Sequence, residues 1–220
     1  MSSSLKIAIL ALVAVLAALA GMWLARLQAP PVEPESQALA LALEHATVLP
    51  AARPLPAFEL LDQQSRAFSP GQLAGRWSLV FFGFTNCPDV CPATLATLAA
   101  ARRELASLPA AQQPDVVLVS VDPGRDTPER LAEYLAFFDP SFTGVTGDAA
   151  QIARLTEVLG VAVIIGEADA QGRYTVDHST TIFLVNPAGA VSAIFSAPHT
   201  PDGIAHDYRL ILHHIGGSEA

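Results

Sequence analysis

Cysteine is scarce in this sequence, with only Cys87 and Cys91 among 220 residues. Two cysteines are too few for a disulfide-built scaffold, and a chain of this length can bury a sizeable hydrophobic core without one. We therefore expect one globular domain, apart from any segment that does not join its core. The role of the two cysteines is expected to be local.

Basic residues are also few, since 12 Lys and Arg stand against 21 Asp and Glu, for a formal net charge of -9. The sequence has no cluster of Lys or Arg that could neutralise several phosphates. Nucleic acid is therefore not an expected partner.

One long uncharged run does occur, IAILALVAVLAALAGMWL at residues 7–24. Its 18 residues meet the lower limit for a helix that crosses the hydrocarbon core of a bilayer. We therefore predict a membrane anchor at residues 1–27, with a short cytoplasmic leader and the rest of the chain outside the cytoplasm. A cleaved signal peptide is the alternative, because Ala18-Leu19-Ala20 fits the small-residue cleavage pattern.

The remainder divides into a tether and a domain. Residues 28–54 are rich in proline and alanine and predict an extended tether, whereas residues 55–216 alternate short apolar runs with amphipathic stretches. The domain is predicted to have strands at 77–84, 115–122, 161–165, 180–186 and 190–197, and helices at 93–108, 128–138, 148–159 and 201–214. Thr127 and Asp148 are candidate N-caps. This order predicts an α/β domain with a thioredoxin-like fold, in which helices flank a central mixed sheet.

Cys87 and Cys91 lie in TNCPDVCP, between a predicted buried strand and the helix that follows it. Because proline suits the first helical position, Pro92 places Cys91 near the N-cap, where the helix dipole lowers the pKa of a thiol. Both sulfurs are therefore expected to be reactive. They can bind an external metal ion, act as a redox couple or form a surface disulfide. The structural disulfide is least favoured, because closing so short a loop removes little chain entropy.

A third metal ligand is predicted at His178, one of six histidines in the chain. It precedes a predicted strand in YTVDHSTTIFLV, and in a thioredoxin-like order the loop into this strand faces the N-terminus of the first helix. Thioredoxins carry a cis-proline in that loop, whereas this sequence has Asp177-His178-Ser179. The alternative is a loop histidine that is merely exposed or hydrogen-bonded. Asp177 is expected to orient the imidazole or to cap the turn.

Two thiolates and one imidazole favour copper, as Cu(I) or Cu(II). Zinc is the main competitor, but it ordinarily takes four ligands, or three ligands and a water. His213 and His214 are interpreted as solvated, because adjacent residues on a helix point to different faces.

In combination, these motifs resemble those of the Sco/SenC family, the copper-delivering assembly factors of cytochrome c oxidase. The resemblance covers about residues 55–215 and includes FFGFTNCPDVCPATL, SVDPGRDTPERL and YTVDHSTTIFLVNPAG, in that order. It implies a thioredoxin-like fold in which Cys87, Cys91 and His178 are the copper ligands. Asn86 departs from the pattern, because many members have histidine there, but that position is not a ligand.

Asp122, Arg125 and Asp126 match an acidic loop of the family and are expected to shape the region beside the site. For Arg125 and Asp126, a simpler role in the turn that leads into the helix is favoured, with Thr127 as the N-cap. None of the three is a predicted copper ligand.

The resemblance implies a metallochaperone that receives copper from a periplasmic donor and delivers it to the binuclear copper site of cytochrome c oxidase subunit II. The alternative is a thiol-disulfide oxidoreductase that reduces the cysteines of that site or of another extracytoplasmic partner, with Cys87 attacking and Cys91 resolving. A peroxidase is a weaker alternative, because no additional catalytic Arg/Thr set is evident around Cys87. The lack of a long Arg- and Ser-rich presequence favours a bacterial inner membrane, with one membrane pass and the C-terminal domain in the periplasm.

Overall fold

The computed structural model of the protein describes residues 3–28 and 42–217. Its contacts divide the chain into two units, residues 1–38 and 39–220, and the first unit contains helix α1 (Ser3–Gln28). Over the described ranges, we find no helix with the length and hydropathy needed to span a membrane. The predicted transmembrane helix therefore stays a prediction, and residues 29–41 of the predicted tether lie outside the described residues.

The second unit is built on a mixed β-sheet. Its strands are β1 (Ala46–Pro54), β2 (Leu60–Asp62), β3 (Ala67–Phe68), β4 (Ser78–Gly83), β5 (Asp115–Ser120), β6 (Thr143–Thr146), β9 (Ile182–Val185) and β10 (Ala190–Phe195). They are ordered β1-β10-β9-β4-β5-β6-β2-β3. The neighbours β4, β5 and β6 are parallel, and the other pairs are antiparallel. Between β6 and β9 along the chain, β7 (Val163–Ile165) and β8 (Val176–His178) form a separate antiparallel pair.

The α-helices of this unit whose bounds lie within the described residues are α2 (Val90–Glu104), α3 (Pro128–Ala136), α4 (Ala149–Leu159) and α5 (Pro201–Gly217). Short 3-10 helices lie at Pro70–Gln72, Leu105–Ser107 and Ala110–Gln112. Helix α5 packs against α2. The predicted α/β class and the central mixed sheet are confirmed.

Strand β4 lies inside the sheet, between β9 and β5, and all of its residues are buried. Because side chains alternate along a strand, its residues serve two faces. Val80 and Phe82 line a small apolar cavity with Leu155 of α4, so they face that helix. Phe81 and Gly83 lie on the opposite face, where a Cβ atom at Gly83 would meet Cys91 of α2. A buried apolar strand thus leads directly to the two cysteines.

The predicted helix starts at residues 127 and 148 are confirmed by their hydrogen bonds. The Thr127 hydroxyl accepts the backbone N–H of Arg130 at 3.2 Å, and Pro128 occupies the first position of α3. The Asp148 carboxylate accepts the backbone N–H of Gln151 at 2.9 Å at the start of α4. Side chains that satisfy otherwise unpaired N–H groups set these boundaries.

The predicted tether at residues 28–54 is wrong for residues 46–54, which form β1. This strand pairs antiparallel with β10, and the register shifts between Val48 and Arg53. Two prolines in so short a stretch suggest an extended linker, but proline is compatible with an edge strand, and β1 is at the edge of the sheet. The domain therefore begins before residue 55.

The start of β1 is fixed by Asp207 in α5, whose side chain is fully buried. Its carboxylate accepts backbone N–H groups of Glu44 at 3.0 Å, His45 at 2.8 Å and Ala46 at 2.8 Å. Burial by itself raises the pKa of Asp207, but these bonds and one from His206 outweigh it and keep the pKa below its usual value. The resulting stabilisation is fully present above the ordinary carboxyl pKa of about 4 and is lost as the pH falls through the lower pKa of the folded state.

The substitution Asp207→Asn should lower the free energy of unfolding by about 2 to 3 kcal/mol at neutral pH, because charged acceptors of several N–H groups are lost. Urea unfolding of the full chain measures this change, and the difference from wild type should shrink in acid, as Asp207 becomes protonated. Asp202→Asn, at an exposed acid of the same helix, is the control and should cost less than about 1 kcal/mol. Equal losses in both variants would contradict the role of Asp207.

Candidate metal centre

Three side chains from separate elements meet beyond the end of β4. Cys87 is in the loop after β4, Cys91 is in the first turn of α2, and His178 is the last residue of β8. Two Sγ atoms and one imidazole nitrogen all lie within 4.8 Å of one another. In the part of the chain that the structure describes, no other group of three or more His, Cys, Asp or Glu residues has this arrangement. The fold therefore brings together the three residues singled out in the sequence.

Cys91 is the buried cysteine of the pair. Helix α2 begins at Val90 with Asp89 as its N-cap, so Cys91 is the second helical residue and does not lie at the cap. Its side chain is fully buried, and burial raises the pKa of the Cys91 thiol, which a backbone hydrogen bond with Phe84 opposes only in part. The predicted lowering of this pKa is therefore wrong, because the cost of ionising a buried thiol outweighs the hydrogen bond that favours the thiolate.

Cys87 is partly exposed, and both cysteines are free thiols. Its Sγ accepts the backbone N–H of Cys91 at 3.4 Å, a contact made possible by the first turn of α2. The two sulfurs therefore differ in access, because an external molecule can reach Cys87 but not the buried Cys91.

The imidazole of His178 is oriented by the backbone carbonyl of the next residue. Its Nδ1 lies 2.9 Å from the carbonyl oxygen of Ser179, which can only accept, so Nδ1 carries the proton. In the neutral ring, Nε2 then has a free lone pair, and it lies 3.2 Å from Sγ of Cys91. Of the two roles predicted for Asp177, orienting the ring belongs instead to the Ser179 carbonyl, and the Asp177 side chain is exposed; capping of the turn stays a prediction. This tautomer presents Nε2 as a metal ligand.

Apolar groups surround these ligands on the side of the sheet. The rings of Phe81 and Phe84 lie edge-on to His178, with centroid distances of 5.9 and 5.8 Å. A Cβ atom at Gly83 would lie 3.0 Å from Sγ of Cys91 and 2.9 Å from the Phe81 ring. Glycine at this position therefore permits the close approach of Cys91 to β4.

Asp126 holds the loop that leads to Cys87. Its fully buried carboxylate accepts the hydroxyls of Thr85 and Ser120, each at 2.6 Å, and the backbone N–H of Thr85 at 3.1 Å. These bonds tie the end of β5 to the segment after β4. The role in the turn that was favoured for Asp126 therefore covers only part of its contacts, because its carboxylate also binds Thr85 in the loop that leads to Cys87.

Arg125 links the loop after β5 to the segment before β8. It forms an ion pair with Asp122, and its Cζ lies 3.8 Å from the centroid of the Tyr174 ring. The Tyr174 hydroxyl donates to Asp122 at 2.6 Å. Arg125 Cζ also lies 5.9 Å from the centroid of Phe84, one of the rings against His178. Nothing in the sequence pattern singles out Tyr174, since this contact depends on the fold.

The two C-terminal histidines are not part of this group. His213 is exposed, in agreement with the sequence interpretation, but His214 is partly buried. The interpretation of both as solvated is therefore correct only for His213.

Two sulfurs and one neutral imidazole nitrogen form a ligand set suited to a soft metal ion, and copper fits it better than zinc. Three ligands leave room for a further ligand from another molecule. The same two cysteines can also form a disulfide with each other, so the site can bind metal only when both are reduced.

Comparisons with known proteins place the chain in a family. The SCO1/SenC family model matches residues 48–213. A protein of Stutzerimonas stutzeri, named as a candidate copper-binding protein, is 41% identical over 174 residues, which are 77% of this chain and 83% of its own. The human mitochondrial SCO2 homolog is 36% identical over 152 residues, which are 69% of this chain but only 57% of the human protein.

A solved structure supports the same relationship. Bradyrhizobium japonicum ScoI with copper bound has a TM-score of 0.63 and 35% identity, and the match covers 71% of this chain and 98% of that chain. The mixed sheet with flanking helices is thus the thioredoxin-like α/β fold of the solved Sco structures. The family-model match extends over most of the domain, from within β1 to α5, and includes all three converging side chains. The chain belongs to the SCO1/SenC family.

Proposed function

We propose that the chain is a copper chaperone that binds copper through Cys87, Cys91 and His178. The observation that carries this proposal is the convergence of two sulfurs and one imidazole nitrogen within 4.8 Å. Thiolates select Cu(I), and sets of two sulfurs and one nitrogen also hold Cu(II). Membership of the SCO1/SenC family and similarity to a copper-bound ScoI structure support the same metal.

We further propose delivery of this copper to the binuclear copper site of cytochrome c oxidase subunit II, after transfer from a periplasmic donor. The family resemblance supports the recipient. The unequal exposure of the ligands supports transfer by ligand exchange, since Cys87 is partly exposed while Cys91 is buried. A recipient sulfur can approach from the side of Cys87 while Cys91 and His178 keep the ion in place.

Thiol-disulfide exchange is the second candidate, and the pairing of an accessible with a buried cysteine favours it. The Cys87 thiolate would attack a partner disulfide, forming a mixed disulfide and releasing one partner thiolate. Cys91 would then attack Sγ of Cys87, forming the internal disulfide and releasing the second partner thiolate, so that two electrons pass to the partner. The raised pKa of the Cys91 thiol disfavours this second step, whereas a bound cation compensates the buried thiolate. We therefore place copper transfer first.

We also propose that residues 1–27 anchor the chain to a bacterial inner membrane, with a single pass and the C-terminal domain in the periplasm. The uncharged run at residues 7–24 supports this proposal.

Replacing the imidazole tests the ligand set. In the reduced full chain, His178→Ala should weaken copper binding by roughly 100-fold or more, because even changes to the outer partners of ligands cost 10- to 100-fold. Competition with a copper chelator measures the affinity. His213→Ala, at an exposed histidine, is the control and should bind copper like wild type. Unchanged affinity in His178→Ala would refute the three-ligand site.

The two cysteines should differ in reactivity. A short pulse of iodoacetamide on the reduced full chain at mildly alkaline pH should modify Cys87 at least about tenfold faster than Cys91, because Cys91 is buried and its thiol has a raised pKa. Peptide mass spectrometry measures both rates, and the denatured chain, in which both should react alike, is the control. Equal rates in the folded chain would contradict the assigned roles.

The anchor is tested by cell fractionation. When expressed in a bacterium, the full chain should stay in the membrane pellet after an alkaline carbonate wash, with its N-terminal segment intact. If the signal-peptide alternative holds, mass spectrometry will instead show a soluble periplasmic chain that lacks residues 1–20.

A further inference from the structure

The loop between β8 and β9 has two successive carbonyl groups, and each accepts a hydrogen bond from a histidine. Nδ1 of His178 donates to the Ser179 carbonyl at 2.9 Å. Nε2 of His199 donates to the Thr180 carbonyl at 2.7 Å. The first bond orients the proposed ligand, and the second fixes the peptide group that follows it.

His199 comes from a different part of the chain, the segment between β10 and α5. Because a carbonyl only accepts, its Nε2 carries a proton. Its Nδ1 is buried and has no hydrogen-bond partner among the described residues. Burial lowers the pKa of His199, with the bond to Thr180 opposing and His45 adding to this effect. A donor at Nε2 beside an unpartnered Nδ1 is the pattern of the Nε2–H tautomer.

The segment carrying Ser179 and Thr180 is held from two sides. On the side of β7, the Ser179 N–H donates to the Ala162 carbonyl at 3.0 Å, and its hydroxyl accepts the Ala162 N–H at 3.2 Å. On the other side, Thr180 and His199 line a cleft of about 320 Å³ together with Val90 at the start of α2. Without the bond from His199, the Thr180 peptide would have space in this cleft into which it could rotate.

We propose that His199 is a positioning residue for copper binding. Through the Thr180 carbonyl it fixes the loop, so that the neighbouring Ser179 carbonyl stays aligned with Nδ1 of His178 and Nε2 of His178 stays directed at the sulfurs. This inference rests on the proposed function of Cys87 and His178 as copper ligands, but His199 itself does not contact the ion.

Two substitutions separate hydrogen bonding from packing. His199→Phe retains a ring but removes the donor, whereas His199→Gln places an amide N–H near the position of Nε2. In the reduced full chain, His199→Phe should bind copper about threefold to tenfold more weakly, the effect of losing one neutral hydrogen bond. His199→Gln should remain within about twofold of wild type. His213→Phe, the same change at an exposed histidine, should have no effect.

A second measurement uses the metal-free protein. In histidine ¹⁵N NMR spectra of the wild-type chain, His199 should be the Nε2–H tautomer and His178 the Nδ1–H tautomer. His199→Phe should shift His178 towards a mixture of tautomers, and His199→Gln should retain the wild-type form. A purely structural role would lower the melting temperature without changing the tautomer of His178.

The outcomes are distinct. Weaker copper binding and a tautomer mixture in His199→Phe, both restored in His199→Gln, support the inference. Wild-type behaviour of both variants overturns it, and so does equal loss in both, because ring packing would then be responsible. If wild-type protein binds no copper, the proposed function fails, while the NMR comparison still decides whether His199 positions His178.

Discussion

The close approach of α2 to β4 is the contact on which the metal centre depends. Cys91 lies in the first turn of the helix. A Cβ atom at position 83 would lie only 3.0 Å from its sulfur, so glycine at this position leaves room for Cys91. The strand itself is buried on both faces, so it cannot move aside to make room. Gly83 thus permits the buried position of the Cys91 sulfur, and this burial raises the pKa of the Cys91 thiol.

Burial has opposite consequences for the two proposed activities. A thiol without water around it resists ionisation, and the raised pKa of Cys91 makes it a slow nucleophile. A soft cation changes this balance, because the metal–thiolate bond replaces the lost hydration and the proton is released on binding. A partly exposed Cys87 next to a buried Cys91 therefore suits an ion that enters and leaves on one side. One desolvated sulfur both favours copper and disfavours disulfide reduction.

Two kinds of hydrogen-bond acceptor hold the surroundings of the ligands in place, a buried carboxylate and a backbone carbonyl. The carboxylate of Asp126 ties two strand ends together beneath the loop of Cys87, where three donors satisfy it. At His178 the orienting acceptor is a backbone carbonyl, which fixes the tautomer without adding a negative charge beside the thiolates. A carboxylate in that place would make the imidazole more basic and raise the negative charge of the site.

Features that depend on near neighbours in the chain can be predicted from the sequence. Local patterns indicate the buried strand β4, the N-caps Thr127 and Asp148, and the motif with two cysteines, whereas His178 is indicated by the order of the predicted elements. The strand at residues 46–54 depends on the fold, since it pairs with β10 and Asp207 accepts the N–H of its first residue, Ala46, from 161 residues away. The fold also sets the pKa of Cys91 and brings Nε2 of His178 to Sγ of Cys91, because both depend on atoms from other elements. Local hydrogen bonds and periodicity depend on residues that are close in sequence, whereas desolvation arises only when the chain is folded.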